Sequence, residues 1–447
     1  MKTPELLCPA GTYKNMQYAF AYGADAVYAG QPRYSLRVRN NDFTVENLQK
    51  GIEEAHQQNK KFYVASNISP HNAKLRTYLD DMAPIVDMKP DALIMADPGL
   101  ISMVKERWPE QTIHLSVQSN TVNYATVKFW QQVGIKRVIL SRELSLDEIE
   151  EIKQRCPEME LEVFVHGALC IAYSGRCLLS GYFNHRDPNQ GTCTNSCRWD
   201  YGVHKTQETD TGDVIKFDPK VDSVGSGNAA GDNVPNHQTT SDEVVLLEEG
   251  GRPGELMPMF EDEHGTYIMN SKDLRAIQHV QRLTEIGIDS LKIEGRTKSH
   301  YYTARTAHIY KQAIADAVAK RPFNMGLMSS LDGLANRGYT EGFYRRHVPE
   351  EYQNYEQGNS ISTAQKFVGE ITAYDDAAGT VSVDVKNKIS VGDSLEIMSP
   401  GGSEQFILES MTDMWGKPLD VAKGSGYQVK MSVPVKDPTM GLLMVNL

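Results

Sequence analysis

The sequence predicts an α/β protein: a (β/α)8 TIM-like barrel with an insertion after its seventh strand, followed by a small all-β barrel domain. Three observations predict it. Across residues 1–320, eight short and mostly apolar runs alternate with amphipathic helical stretches, the rhythm of a parallel sheet with helical crossovers. Eight is the number a closed barrel requires, although a doubly wound open sheet fits the same runs, because strand count does not fix closure. A long excursion then separates the seventh run from the eighth. From about Gln365 the rhythm changes to short alternating strands joined by Gly and Asp turns, the pattern of a small β barrel.

The runs, in order, are Leu6–Cys8, Ala26–Ala29, Phe62–Ala65, Ala92–Met95, Ile113–Val117, Val138–Leu140, Leu161–Val165 and Leu291–Ile293. Gly23, Gly134 and Gly287 stand just before three of them, where a helix ends in a left-handed residue. The opposite joints hold the polar residues. They read Pro9-Ala10-Gly11-Thr12, Gly30-Gln31-Pro32-Arg33, Ser66-Asn67, Ala96-Asp97-Pro98-Gly99, Gln118-Ser119-Asn120, Ser141-Arg142-Glu143, His166-Gly167 and Glu294-Gly295-Arg296. In a barrel all of these lie at the carboxyl-end rim, where such folds place their chemistry. Thr12, Asn67, Asp97 and Asn120 also suit helix N-caps.

The excursion occupies residues 170–266. Its middle is rich in Gly, Asp, Asn, Ser and Thr and reads as a surface insertion or a loose hairpin. Ser271 is the expected N-cap of the helix before the eighth strand. The barrel is expected to span 1–320 and a connector 321–362. That connector includes NRGYTEGFYRRH, which reads as a solvated link or, through its arginines and aromatics, as an RNA or anion contact. Residues 363–447 form the C-terminal domain, with strands expected at Phe367–Ile371, Thr380–Val385, Asp393–Met398, Phe406–Leu408 and Tyr427–Met431.

Composition narrows the function. A hydrophobic fraction of 40% and a charged fraction of 23% fit an ordinary globular protein. No apolar run reaches the length of a membrane helix, and the first residues do not read as a signal peptide. Low cysteine usage with one cluster suits a reducing cytoplasm. The net charge of −12 argues against general nucleic-acid binding through phosphate neutralisation, while leaving room for a local basic site.

Cys170, Cys177, Cys193 and Cys197 stand in a C-x6-C-x15-C-x3-C pattern directly behind the seventh run, in a chain with six cysteines. A thiolate cluster binding a soft metal or an iron–sulfur centre accounts for them best. The spacing lacks a C-x2-C knuckle, so it does not name the metal. His166, Glu143 and Glu294 are the rim candidates for proton transfer; His166 equally fits a satisfied core histidine. Lys292 and Glu294 lie two apart on one strand, so they share a face and fit a buried ion pair.

The stretch FVHGALCIAYSGRCLLSGYFNHRDPNQGTCTNSCRW resembles the signature of the collagenase-like U32 peptidase family. ELLCPAG, ADAVYAGQPRYSLR, SVQSN, LSREL, HGTYIMNSKDL and SLKIEGRTKSHYY resemble other parts of that family's barrel. Within the family the chain is most similar to the branch that forms 5-hydroxyuridine at the wobble position of tRNA, with prephenate as hydroxyl donor. The resemblance implies tRNA and prephenate as partners. It also implies a 4Fe–4S cluster held by Cys170, Cys177, Cys193 and Cys197; in some relatives the fourth cysteine stands further downstream. Prephenate is a small dianion, and guanidinium groups pair with carboxylates through a two-pronged fork. Arg33, Arg37, Arg142 and Arg296 are therefore the candidate substrate ligands, with Arg39 nearby.

The peptidase name has little support in the residues. The chain contains neither an H-E-x-x-H zinc motif nor a G-x-S-x-G elbow. A catalytic cysteine paired with His166 is conceivable, but one nucleophile leaves the other clustered thiols unexplained. A non-catalytic RNA-binding accessory protein is the remaining alternative.

Overall fold

The computed structural model describes residues 1–35, 43–68, 70–168, 273–334, 336, 338–345 and 365–446, together with short strands between 172 and 268. Its first unit is a closed parallel barrel. The strands are β1 (Glu5–Pro9), β2 (Ala26–Gly30), β3 (Lys61–Ser66), β4 (Ala92–Met95), β5 (Ile113–Leu115), β6 (Arg137–Ile139), β7 (Glu160–Ala168) and β8 (Ser290–Ile293). Each pairs in parallel with the next, and β8 closes the ring by pairing with both β7 and β1. Leu291 sits opposite Val163 on one side and Leu6 on the other. All eight apolar runs became strands, and the ring excludes the open doubly wound sheet.

The barrel is ringed by α1 (Tyr13–Ala21), α2 (Val45–Gln57), α3 (Asn72–Asp87), α4 (Pro98–Arg107), α5 (Tyr124–Gln132), α6 (Leu146–Arg155), α7 (Val280–Ile286) and α8 (His300–Val318). Leu6, Cys8, Val27, Phe62, Val64, Leu93 and Leu161 are buried in the apolar core, with Met16, Leu48, Tyr78, Leu100 and Ile149 of the helices. Gly23, Gly134 and Gly287 have φ of +105°, +86° and +85°, as expected of helix ends. Thr12 and Asp97 accept from the N–H of Asn15 and Leu100 and cap α1 and α4.

The other expected caps differ. Helix α3 begins after His71, and Asn67 instead donates to Gln118 at 3.2 Å. Helix α5 is capped by Asn123, while Asn120 ends a short 3-10 turn at φ +50°. Ser271 lies outside the described residues, and α7 starts only at Val280. In between runs the strand Asp273–Arg275, antiparallel to the last residues of β7. The excursion thus returns to the strand it left.

Strands that flank the polar middle of the excursion form a sheet, and the start of that middle holds a short strand pair. Tyr201–His204, Val245–Glu249, Leu256–Asp262 and Gly265–Ile268 form a four-stranded antiparallel sheet, and Thr206–Glu208 pairs with Val214–Lys216. The expected solvated connector also differs. Leu327, Leu331, Leu334 and Tyr344 are buried in the barrel core, and Tyr339–Thr340 pairs with Asp273–Arg275. Of the segment's aromatics Tyr344 is in the core, Tyr339 is half-buried and Phe343 is exposed, and Arg345 pairs with Glu341 at 3.2 Å.

The C-terminal unit is an eight-stranded antiparallel sheet from Gln365 to Asn446, with its own core of Val381, Val383, Val385, Ile397, Val429 and Leu443. All five expected strands are present. The sheet also includes Leu442–Asn446 at a central position and a short pair at one edge. Among the described residues its two end strands are not paired with each other. It docks on α1 and α8. The Tyr22 hydroxyl donates to the carbonyls of Met398 and Met440, both at 2.9 Å. Tyr301 stacks on Phe367 at 4.8 Å, and Arg305 meets Glu396 at 3.3 Å. Among the described residues no helix is long and apolar enough to cross a membrane.

Candidate active site at the barrel mouth

Side chains that meet partners on non-neighbouring strands must cross the barrel interior. Here many of those side chains are charged. Arg137 of β6 reaches Glu5 of β1 at 2.6 Å and Glu162 of β7 at 3.1 Å. Glu162, fully buried, also accepts from Lys292 of β8 at 2.9 Å. Lys292 is thus paired with Glu162 on the adjacent strand. Its ammonium lies 4.3 Å from the ring centroid of Tyr28 and 5.5 Å from that of Phe164. Burial pushes the Lys292 pKa below the ordinary lysine range, and the Glu162 carboxylate opposes that shift. Removing these groups from water is costly, so their mutual pairing is what makes the charged interior tolerable.

Nearer the carboxyl-end rim, Arg142 donates to Glu294 at 2.9 Å. Its guanidinium carbon lies 3.8 Å from the Phe164 ring centroid. Arg296 donates to Ser35 Oγ at 3.2 Å and lies 6.0 Å from the Tyr28 ring. A glycine at position 30 permits this approach, because a Cβ there would collide with Ser35 Oγ and the Arg296 guanidinium. Arg142, Arg296 and the deeper Lys292 therefore converge on two aromatic faces, with Glu294 and Glu162 as the carboxylates. Such a mouth can hold a small anion whose carboxylates take up guanidinium donors and whose ring lies on Tyr28 or Phe164.

The other sequence candidates are placed differently. Glu143 accepts from the Ser141 hydroxyl at the same rim. His166, only 1% exposed, sits among the rings of Tyr302, Tyr310 and Tyr339. The Tyr310 hydroxyl is 3.3 Å from its Nδ1. Burial, with Arg275 and Lys298 nearby, lowers its pKa to about 3, so the imidazole is neutral at physiological pH. Of the two readings open to His166, this buried setting among three tyrosine rings matches the core histidine. Arg33 pairs with Asp81 on the surface and is about half exposed, at 53%. It does not join Arg142 and Arg296, because Asp81 of α3 draws it outward.

Arg37 and Arg39 lie outside the described residues, as do Cys170, Cys193 and Cys197. Cys177 lies on the strand Arg176–Cys177, which pairs antiparallel with Ala172–Tyr173. This hairpin turns the chain back on itself within the first interval of the cysteine pattern. The backbone at Cys177 faces Ala172, two residues beyond Cys170. The two cysteines outside the pattern, Cys8 and Cys156, are free and buried.

Sequence reasoning missed Tyr28, Phe164 and the approach of Lys292 to both rings. Tyr28 and Phe164 read as members of apolar strands. The available signal was alternation: Glu162, Phe164 and His166 share one face of β7, and Lys292 and Glu294 one face of β8.

A closed (β/α)8 barrel with paired arginines and carboxylates gathered at its carboxyl-end rim and a cysteine-bearing excursion behind its seventh strand defines an enzyme-type barrel. The chain belongs to peptidase family U32, whose model matches residues 11–354, and the model of the family's C-terminal domain matches residues 363–444. Over 436 residues it is 62% identical to "tRNA hydroxylation protein P" of Escherichia coli (strain K12), covering 97% of this chain and 94% of that protein. The protein of the same name from Haemophilus influenzae is 58% identical over 446 residues, covering 99% and 96%. "tRNA hydroxylation protein P1" of Bacillus subtilis (strain 168) is 33% identical over 441 residues, covering 97% and 93%.

Proposed function

We propose that this chain is a tRNA hydroxylase. The observation that carries the reading is near-full-length identity to proteins named for tRNA hydroxylation, at 62% and 58%. The finer reading is that the enzyme forms 5-hydroxyuridine at the wobble position, uses prephenate as hydroxyl donor and works in the cytoplasm. The convergence of Arg142, Arg296 and Lys292 on Tyr28 and Phe164 supports a ring-bearing dianion at the barrel mouth. Glu143 and Glu294 are the carboxylates at that rim able to accept or return a proton.

Cys170, Cys177, Cys193 and Cys197 would hold a 4Fe–4S cluster. A cluster with four thiolate ligands supplies electron transfer or braces the excursion. The test is anaerobic purification with iron and sulfide assay, for which the reading expects about four of each per chain. Cys170→Ala should lose both the iron chromophore and tRNA hydroxylation. An iron-free variant with full activity would contradict the cluster. The family name favours a second reading, peptidase activity. Among the described residues the free cysteines and His166 are all buried, which gives that reading no exposed nucleophile–base pair. Proteolysis of an unfolded protein by the purified chain would restore it.

A further inference from the structure

We propose that Gln118 is a specificity-determining residue that donates its side-chain amide to O4 of the target uracil, from a neutral wall of the barrel mouth. The inference rests on the tRNA hydroxylase reading above and adds to it how the base is told apart. Alternation and contacts that skip a strand place this wall. On β3, Tyr63 lies inside the barrel: its ring is 4.7 Å from that of His114 on β5, and the Arg137 guanidinium carbon of β6 is 5.6 Å from its centroid. Ser66 takes the opposite face, where its hydroxyl meets the Tyr78 hydroxyl of α3 at 2.9 Å. Asn67 therefore turns back inward, and it is buried. Past β5 the same alternation carries Ser116 to the face of His114. Asn67 Nδ2 reaches Ser116 Oγ at 3.4 Å and Gln118 Oε1 at 3.2 Å. These contacts pass over the end of β4, as the Arg142–Glu294 pair passes over β7, so both sets of side chains lie over one mouth.

The two sides of the mouth differ in charge. Arg142, Glu294 and Arg296 stand on one. Asn67, Ser116 and Gln118, all neutral, stand on the other, and Asp97 between them is turned away to cap α4. Gln118 sits in the 3-10 turn Val117–Ser119. The Ser119 hydroxyl holds that turn to the Ala96 carbonyl at 3.0 Å, and Asn120 Nδ2 donates to the Gln118 carbonyl at 2.9 Å. Just beyond, the Thr121 carbonyl accepts the Ser141 N–H at 3.1 Å, which ties the turn to the rim beside Arg142. Gln118 Oε1 accepts from both Asn67 Nδ2 and the Ser116 hydroxyl. The NH2 group is therefore the open end of the amide, without a partner among the described residues. Gln118 is half-buried, so this group is held in place and still reachable. Uracil is neutral and presents an N3–H between two carbonyl oxygens. Unpaired bases of RNA loops splay out and are read by hydrogen bonds along that edge. A fixed amide N–H suits O4 of uracil, whereas cytosine carries an amino group there and would set one N–H against another.

The test is hydroxylation kinetics and competition binding with the full-length, anaerobically purified protein, prephenate and two unmodified tRNA transcripts. The transcripts differ only in carrying uridine or cytidine at the wobble position. Gln118→Met keeps the length of the side chain and removes the N–H. Gln118→Glu puts an acceptor in its place, which suits the cytosine amino group. Gln118→Met should lower kcat/KM for the uridine transcript about 10–100-fold, the scale of one lost hydrogen bond, with the prephenate KM unchanged. Gln118→Glu should lower it further and narrow the binding preference for the uridine transcript over the cytidine one. Asn67→Ala frees the oxygen end of the amide and should narrow the same preference if neither Gln118 variant folds. Wild-type kcat/KM in folded Gln118→Met, or an unchanged preference in folded Gln118→Glu, overturns the assignment. So does a raised prephenate KM, which would move Gln118 to the opposite wall. A wild-type chain that forms no hydroxylated uridine overturns the hydroxylase reading, and the Gln118 assignment with it.

Discussion

Arg142, just past β6, reaches over β7 to Glu294 at the end of β8, with Nη2 2.9 Å from Oε2. The contact skips a strand, so both side chains lie over the mouth and not between sheet and helices. A dianion entering there must share or displace this pair. Arg142→Ala should therefore lower kcat/KM for the donor by about 100-fold, on the scale of a lost charge-assisted hydrogen bond. Arg142→Lys should recover little, because an ammonium lacks the planar fork and its stacking on Phe164. Steady-state kinetics with varied donor at saturating tRNA read this out. Equal activity of the lysine variant would remove the fork from the account.

Glu162 is fully buried between Arg137 and Lys292. Glu162→Leu would leave both cations short of a partner in the barrel interior. Loss of one partner from a buried ion pair costs about 3–5 kcal/mol, so denaturant unfolding should show a loss of that order. A loss below about 1 kcal/mol, the scale of an exposed pair, would mean the interior is far wetter than the geometry implies.

His166 sets a pH signature. Its folded-state pKa is about 3, below the ordinary value of 6.5. Between those values the unfolded chain binds a proton that the folded chain does not, so stability falls as pH drops from about 6.5 toward 3. Above that window the contribution is fully present. NMR of ring-labelled histidine should show no His166 titration between pH 5 and 8. A midpoint near neutrality would return His166 to the acid–base candidates.

Gly30→Ala tests the Arg296 wall. The new methyl collides with the ends of two side chains, Ser35 and Arg296, and not with backbone. The fold can yield there by moving Arg296 away from the mouth. The donor KM should rise about tenfold with little change in melting temperature, measured by kinetics and thermal unfolding in parallel. A collapse in stability with KM unchanged would make the contact purely structural.

Much of this was legible before the structure. Apolar runs such as Phe62–Ala65 and glycines such as Gly23 mark strands and helix ends through local chemistry, which sequence records directly. The cysteine pattern likewise marked the excursion behind β7. Arg33 could not be separated from Arg296 in the same way. Both follow a strand end, and only the position of Asp81 on α3 turns Arg33 outward. His166 sits at the strand end as expected, but three tyrosines distant in sequence, Tyr302, Tyr310 and Tyr339, bury it. Tyr344 shows the same limit: an aromatic beside arginines fits RNA contact, and tertiary packing places it in the core. Residues whose role depends on barrel closure became visible only once the ring was closed.

The most direct measurement is mass spectrometry of nucleosides from unmodified tRNA incubated with the anaerobically purified chain and prephenate. The account predicts a uridine product one oxygen heavier, confined to the wobble position, dependent on prephenate, and lost in Arg142→Ala and Cys170→Ala. No such product from an iron-replete protein, or equal product without prephenate, would contradict it.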